Sequence, residues 1–251
     1  MTHKPVAAAP SAAPKTAGIV VLPTRASFFS SPAEEAALER DNSVFWDALL
    51  AHIEADSHDL KVETLLDVGC HQGGLLLRLA SSLKAKKLVG IEPVFSVREI
   101  ATRRLQSAGF APVILDTADW NAIEDGVIDL AVCHEVLYLL PSLGEIMSCF
   151  RRVLRPGATA YVVLGCHEEN PVWRQRKPLM EAEGHAVYSH RPMDIMSAAA
   201  KAGLTPFVRP LRRDGWVGYD PTRARFKFPD VSTMFDHHFR QKLLFRFVLR
   251  P

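Results

Sequence analysis

This sequence has no apolar run long enough to cross a bilayer, and its first residues lack the apolar core of a secretion signal. A net charge of only +2 gives no global attraction to nucleic acid or to an anionic membrane. The four cysteines, Cys70, Cys133, Cys149 and Cys166, form no C-x-x-C pair and no zinc-type spacing. That argues against a disulfide framework or a metal site, and for reduced thiols in a cytoplasmic protein. What remains is an ordinary globular composition, 48% hydrophobic and 23% charged over 251 residues, enough for one sizeable domain with appendages. One local bias stands out: Pro206–Pro251 carries ten Lys/Arg against four Asp. A solvated basic face is the simpler reading of it, ahead of an anion site.

Residues 1–18 are Ala- and Pro-rich and read as a disordered leader, with 19–251 as a single domain. A helix is expected from Pro32, with Ser31 as N-cap and acids in the first turn, ending near Glu54 or broken near Asn42-Ser43. The core then alternates. Strands are expected at Thr64–Val68, Lys87–Ile91, from Pro112, at Ile128–Cys133 and at Ala158–Leu164, with helices between them. Ser142-Leu143-Gly144-Glu145 is a capping-box pattern, and Leu154-Arg155-Pro156-Gly157 reads as a turn. Helices at 172–183 and 193–202 and strands at 204–211 and 243–249 follow. The predicted fold is α/β: a Rossmann-like, doubly wound, three-layer sandwich of seven mostly parallel strands, with an antiparallel strand near the C-terminus. Segments 28–55, 166–192 and 212–240 are placed to cover a substrate.

The most telling stretch is Thr64-Leu-Leu-Asp-Val-Gly-Cys-His-Gln-Gly-Gly74, a strand running into a glycine turn and a helix. The next apolar run, Lys87–Ile91, ends in the acid Glu92. Such a βαβ unit holds a nucleoside: glycines let the backbone come close, and the acid accepts from ribose hydroxyls. His71 stands where a dinucleotide site needs its middle glycine, so a pyrophosphate, and with it a dehydrogenase, is disfavoured.

In five motifs, taken in order over Leu65–Gly165, the chain resembles the class I S-adenosylmethionine-dependent methyltransferases. These are Asp67-Val-Gly-Cys-His-Gln-Gly, the acid Glu92, Leu115-Asp-Thr-Ala-Asp-Trp, Ile128-Asp-Leu-Ala-Val-Cys-His-Glu and Val153-Leu-Arg-Pro-Gly. The resemblance implies S-adenosylmethionine as cofactor. Gly69 and Gly73 would offer backbone to its methionine end, and Asp67 would orient the loop or reach the ammonium through water. Glu92 would read the ribose. Asp119 would accept from the adenine amino group while Trp120 or Ile91 covers the ring, with Asp116 as the rival contact. Cys70, His71, Pro93, Cys133 and His134 complete the donor set, although the His71 side chain is expected to point away.

Ligands of open α/β sheets bind at the carboxyl ends of the strands, which makes His134 and His167 the candidates for facing the acceptor as a base. Glu135 reads as a buried cap, and Tyr138 as either rim or core. Phe29, Trp46, Tyr138, Trp173 and Trp216 are the aromatic candidates for an acceptor pocket. The resemblance therefore implies methyl transfer to N, O or S of a small molecule. The alternatives are an RNA-modifying enzyme using the basic C-terminal segment, and a donor-binding protein without catalysis. No nucleic-acid or membrane partner is expected, and a homodimer is compatible with the resemblance.

Overall fold

The computed structural model describes residues 32–56, 61–222 and 227–251. The expected leader, Ser31 and Phe29 lie outside the described residues. One unbroken helix, α1 (Pro32–Asp56), is followed by β1 (Thr64–Val68), α2 (Gly74–Leu83), β2 (Lys87–Ile91), α3 (Phe95–Ser107) and β3 (Val113–Leu115). Then come β4 (Ile128–His134), α4 (Leu143–Val153), β5 (Leu154–Leu164), α5 (Pro171–Ala182) and α6 (Pro192–Lys201). The described chain closes with β6 (Thr205–Pro210), α7 (Val231–Asp236), a π turn (His237–Gln241) and β7 (Leu243–Val248).

The seven strands form one sheet in the order β3-β2-β1-β4-β5-β7-β6, and β7 runs antiparallel to both its neighbours. The order reverses between β1 and β4, whose parallel register pairs Val68 with Cys133. That reversal opens a crevice at the carboxyl edge, where the glycine turn and the end of β4 stand side by side. One expectation needs correcting. Leu154–Gly157 is not a turn closing α4 but the start of β5, since Leu154 already pairs with Ile128 across a register shift.

Strand periodicity splits the core. Leu65 and Leu66, adjacent in β1, belong to separate buried clusters on the two faces of the sheet. Phe45, Leu49 and Ile53 recur every four residues along α1 and bury one stripe of it in the cluster that holds Leu65. Each such side chain contributes roughly 1.5–3 kcal/mol of burial. This packing lays α1 across the sheet so that Phe45 and Trp46 reach the carboxyl edge. At the opposite edge Asp129 accepts from the amides of Glu63 (3.0 Å) and Thr64 (2.8 Å) and pairs with Arg155 at 2.6 Å. It therefore belongs to the scaffold.

Candidate active site

The glycine turn is held by its own polar groups. The amides of Gly69 and Cys70 both donate to the Ile91 carbonyl, at 2.8 and 3.0 Å, and that of Gly73 donates to the Cys70 carbonyl at 2.8 Å. The His71 amide donates to Glu92 Oε2 at 3.1 Å, and Val94 donates to Glu92 Oε1 at 2.9 Å. Of the backbone that Gly69 and Gly73 are expected to offer a ligand, the amides are thus already engaged within the turn. The glycines' lack of a side chain matters instead: both have positive φ, and a Cβ on Gly69 would lie 2.3 Å from the Val136 side chain. His71 also has positive φ, 49°. Histidine is among the few residues with some tolerance for that region.

Two acids are buried beneath the turn, Asp67 at 2% and Glu92 at 6% exposure. Burial, and then the neighbouring Glu92, raises the Asp67 carboxyl to about 8. Burial raises Glu92 to about 7 against its two amide donors and Arg98. No cation is ion-paired to either acid among the described residues.

At the end of β4, His134 stands edge-on to Trp46 with ring centroids 6.5 Å apart. His134 Nε2 and Trp46 Nε1 are both enclosed and make no hydrogen bond among the described residues. Burial, then Lys242, lowers the His134 imidazole to about 4, so it is neutral at physiological pH. Glu135 follows with φ 55°, a strained conformation for a residue with a side chain. Its Oε1 accepts from the Gly165 amide at 2.8 Å and from Lys242 Nζ at 2.5 Å. Burial alone would raise Glu135, yet Lys242, His134 and these hydrogen bonds bring it down to about 2. It is a buried acid, as expected, but it ties strand ends together and does not cap a helix.

Sequence reasoning missed three residues here. Lys242 is 6% exposed, with its ammonium 4.4 Å from the centre of the Phe45 ring. Asn170, fully buried, donates to the Gly165 carbonyl and reaches His237 Nδ1 at 3.2 Å. His238 stacks on Phe45 at 5.2 Å. One signal existed for Lys242: it directly precedes Leu243-Leu244-Phe245, the start of a buried strand.

A family model described as a methyltransferase domain matches residues 59–200, more than half of the chain. The chain belongs to the class I S-adenosylmethionine-dependent methyltransferases. Solved structures of similar fold include a Haloferax volcanii methyltransferase in complex with the Trm112 methyltransferase activator (TM-score 0.69, 18% identity, 88% of this chain and 95% of that one). Another is geranyl diphosphate C-methyltransferase of Streptomyces coelicolor, with S-adenosylhomocysteine bound (TM-score 0.65, 16% identity, 94% and 91%). An uncharacterised protein of a Streptomyces fradiae transposon is 31% identical over 137 residues. That match takes in 54% of this chain and spans 37% of the relative's length.

The methyltransferase's methyl donor is S-adenosylmethionine, and the crevice suits it. Its ammonium and sulfonium would supply the positive charge that the buried Asp67 and Glu92 lack. Each Glu92 oxygen has accepted one amide, and a carboxylate has about four acceptor positions, so room remains for two hydroxyls.

The other sequence-named residues divide. Asp119 is exposed on a short 3-10 turn (Thr117–Ala122), and Asp116 pairs with Arg98 at 2.7 Å. The Pro93 carbonyl accepts from the same arginine at 2.8 Å. Trp120 does not cover a base: it is 1% exposed and packed edge-on against Phe150 in the core. Cys133 and Cys70 are likewise buried, and burial pushes both thiols up. Cys133 sits in the core cluster with Trp120 and so turns away from the crevice. His167 does not open on the rim either. It is 1% exposed, and its Nε2 donates to the Gln241 carbonyl at 2.9 Å, which anchors the π turn. Tyr138 and Trp173 pack together at 5.1 Å as core, with Trp173 Nε1 donating to Ser189. Trp216 is 97% exposed. Of the aromatic candidates in the described residues, Trp46 alone stands at the crevice.

Proposed function

We propose that this methyltransferase acts on a nitrogen, oxygen or sulfur atom of a small molecule held between the glycine turn, Trp46 and His134. The observation that carries the reading is the neutral, unspent Nε2 of His134, enclosed at the end of β4 beside the crevice. The bound donor supplies an electrophilic methyl group on sulfur, and the rest falls to alignment and exclusion of water. Asp67 holds the donor's ammonium, and Glu92 accepts from its ribose hydroxyls. Asp119 remains the candidate for the adenine amino group. Trp46 walls the methyl from solvent. His134 accepts a hydrogen bond from the acceptor's N–H, O–H or S–H and so turns a lone pair toward the methyl. Its low basicity suits this orienting role better than proton removal.

The basic C-terminal segment gives little support to an RNA reading. Lys242 is buried against Glu135, Arg246 pairs with Asp56 at 3.0 Å, and Arg240 pairs with Asp236. The test is label transfer from methyl-labelled donor to a panel of small amines, phenols, carboxylates and thiols, with bulk tRNA as a separate arm. Turnover on a small acceptor, lost in Glu92→Ala and reduced at least tenfold in His134→Ala, supports the proposal. Label appearing in RNA alone overturns it.

A further inference from the structure

The chemistry around Phe45 narrows the acceptor, given the small-molecule reading above. Around that ring the chain gathers basic side chains, of which Lys242 is paired with Glu135. Lys242 Nζ lies over one part of the ring at 4.4 Å, and His238 stacks on it at 5.2 Å. Arg212, which follows β6, lays its guanidinium on the Phe239 face at 5.2 Å. Arg212 Nη2 donates to the carbonyls of Asp214 (3.4 Å) and Trp216 (3.1 Å), which fixes the plane of the group. Its other terminal nitrogen, Nη1, is enclosed without a hydrogen bond among the described residues, and so is His238 Nδ1.

Arg212 Nη1 is an unspent donor, costly to enclose unless something accepts from it, and His238 Nδ1 is a second enclosed polar atom without a partner. Burial comes first in holding His238 near 4, and the charges that act with it are Lys242 and Arg212, both positive. His237 next to it is held near 3 by burial, then Lys242 and His238, with Glu135 opposing and Arg176 adding to the positive side. Glu135, the carboxylate that acts on His237, is already engaged by Lys242 and the Gly165 amide, and Asp236 before His237 accepts from Arg240 and Gln241. A planar, pinned guanidinium with a free edge is the geometry that binds carboxylate and phosphoryl oxygens.

We propose that Arg212 and His238, which flank Phe239, dock an oxyanion of the methyl acceptor, a carboxylate or a phosphoryl group. Arg212 Nη1 and protonated His238 Nδ1 donate to it, while Lys242, over the Phe45 ring, stays paired with Glu135. The acceptor is then an anionic small molecule, anchored at one end by this pair and presenting its nucleophile at His134.

The test is an NMR titration of the histidine ring protons of the full chain with inorganic phosphate, with acetate and with chloride at equal ionic strength. An oxyanion beside Arg212 raises the His238 midpoint by about one pH unit or more over the chloride sample. The oxyanion that saturates at lower concentration identifies the acceptor's group as phosphoryl or carboxylate. Arg212→Gln raises the His238 midpoint in chloride, since it removes a neighbouring cation, and abolishes the further shift with oxyanion, while His238→Gln weakens phosphate binding measured through His237. A midpoint unmoved by both oxyanions, or a shift that survives in Arg212→Gln, overturns the docking. S-adenosylhomocysteine calorimetry on the same samples separates the two readings. Donor product bound with no oxyanion response removes the docking alone, whereas no donor binding removes the methyltransferase assignment of the site.

Discussion

Glu135 and Lys242, 107 residues apart in the chain, meet at 2.5 Å below the ends of β4 and β7. Both are largely buried, with side chains 17% and 7% exposed. Removing one partner strands the other charge, and such losses cost about 3–5 kcal/mol, whereas replacing both is often nearly neutral. Lys242→Met and Glu135→Gln are each expected to lower unfolding free energy by about that amount, and the double variant to recover most of it. Urea unfolding of the four proteins reads the cycle. Additive losses would mean that the two groups act independently.

The buried Asp67 makes stability depend on pH in an unusual direction. Its carboxyl is raised from 3.8 to about 8, so the folded state holds a proton that the unfolded chain has lost. Its contribution is present in full below pH 3.8 and is lost as pH rises toward 8, at up to about 1.4 kcal/mol per pH unit. Asp67→Asn keeps the neutral form throughout. The difference in melting temperature between Asp67→Asn and the parent should therefore widen from pH 5 to pH 8, and a constant difference would refute the assignment.

Donor binding should show the complementary sign. An ammonium beside Asp67 favours its ionised form, so binding releases a proton below about pH 8. Affinity for S-adenosylhomocysteine is expected to climb with pH by up to tenfold per unit, then level off near 8. Calorimetry in buffers of differing ionisation enthalpy counts the proton directly. Asp67→Asn should bind more weakly and with no proton release, and Glu92→Ala should lose at least tenfold.

Two glycine-turn substitutions should move stability in opposite directions. A Cβ at Gly69 combines a positive φ with a 2.3 Å approach to Val136. Left-handed strain of about 1–2 kcal/mol and overpacking of about 1–3 kcal/mol then add. Gly69→Ala with Val136→Ala should relieve the packing share alone. His71→Gly, which removes a side chain from a left-handed residue, should be neutral or gain up to about 1 kcal/mol by thermal unfolding.

The parts of this fold that were legible are those written in local periodicity. Leu65 and Leu66 facing opposite clusters, Glu92 ending β2 and Ser142 accepting from the Glu145 amide all follow from patterns a few residues long. Trp120 was misplaced because nothing in Thr117–Ala122 says which way a 3-10 turn rotates its side chains, and a core ring and a rim ring read alike. His167 failed similarly: its position after β5 was right, but its partner is the Gln241 carbonyl, 74 residues on. Composition cannot distinguish a buried lysine from a solvated one, so Lys242 reads as one more cation of a basic face. Its partner lies across the sheet, and only the antiparallel insertion of β7 brings it there.

That insertion has a consequence for the order of assembly. β7 sits between β5 and β6, stitched to β5 from Thr159–Val248 to Leu164–Leu243. A ribosome must therefore deliver residues 243–248 before β6 can join the sheet and before Lys242 can reach Glu135. Until then Glu135 lacks the ammonium of Lys242. The antiparallel half of the sheet therefore joins only after β5 is in place, however early the donor-binding half has folded.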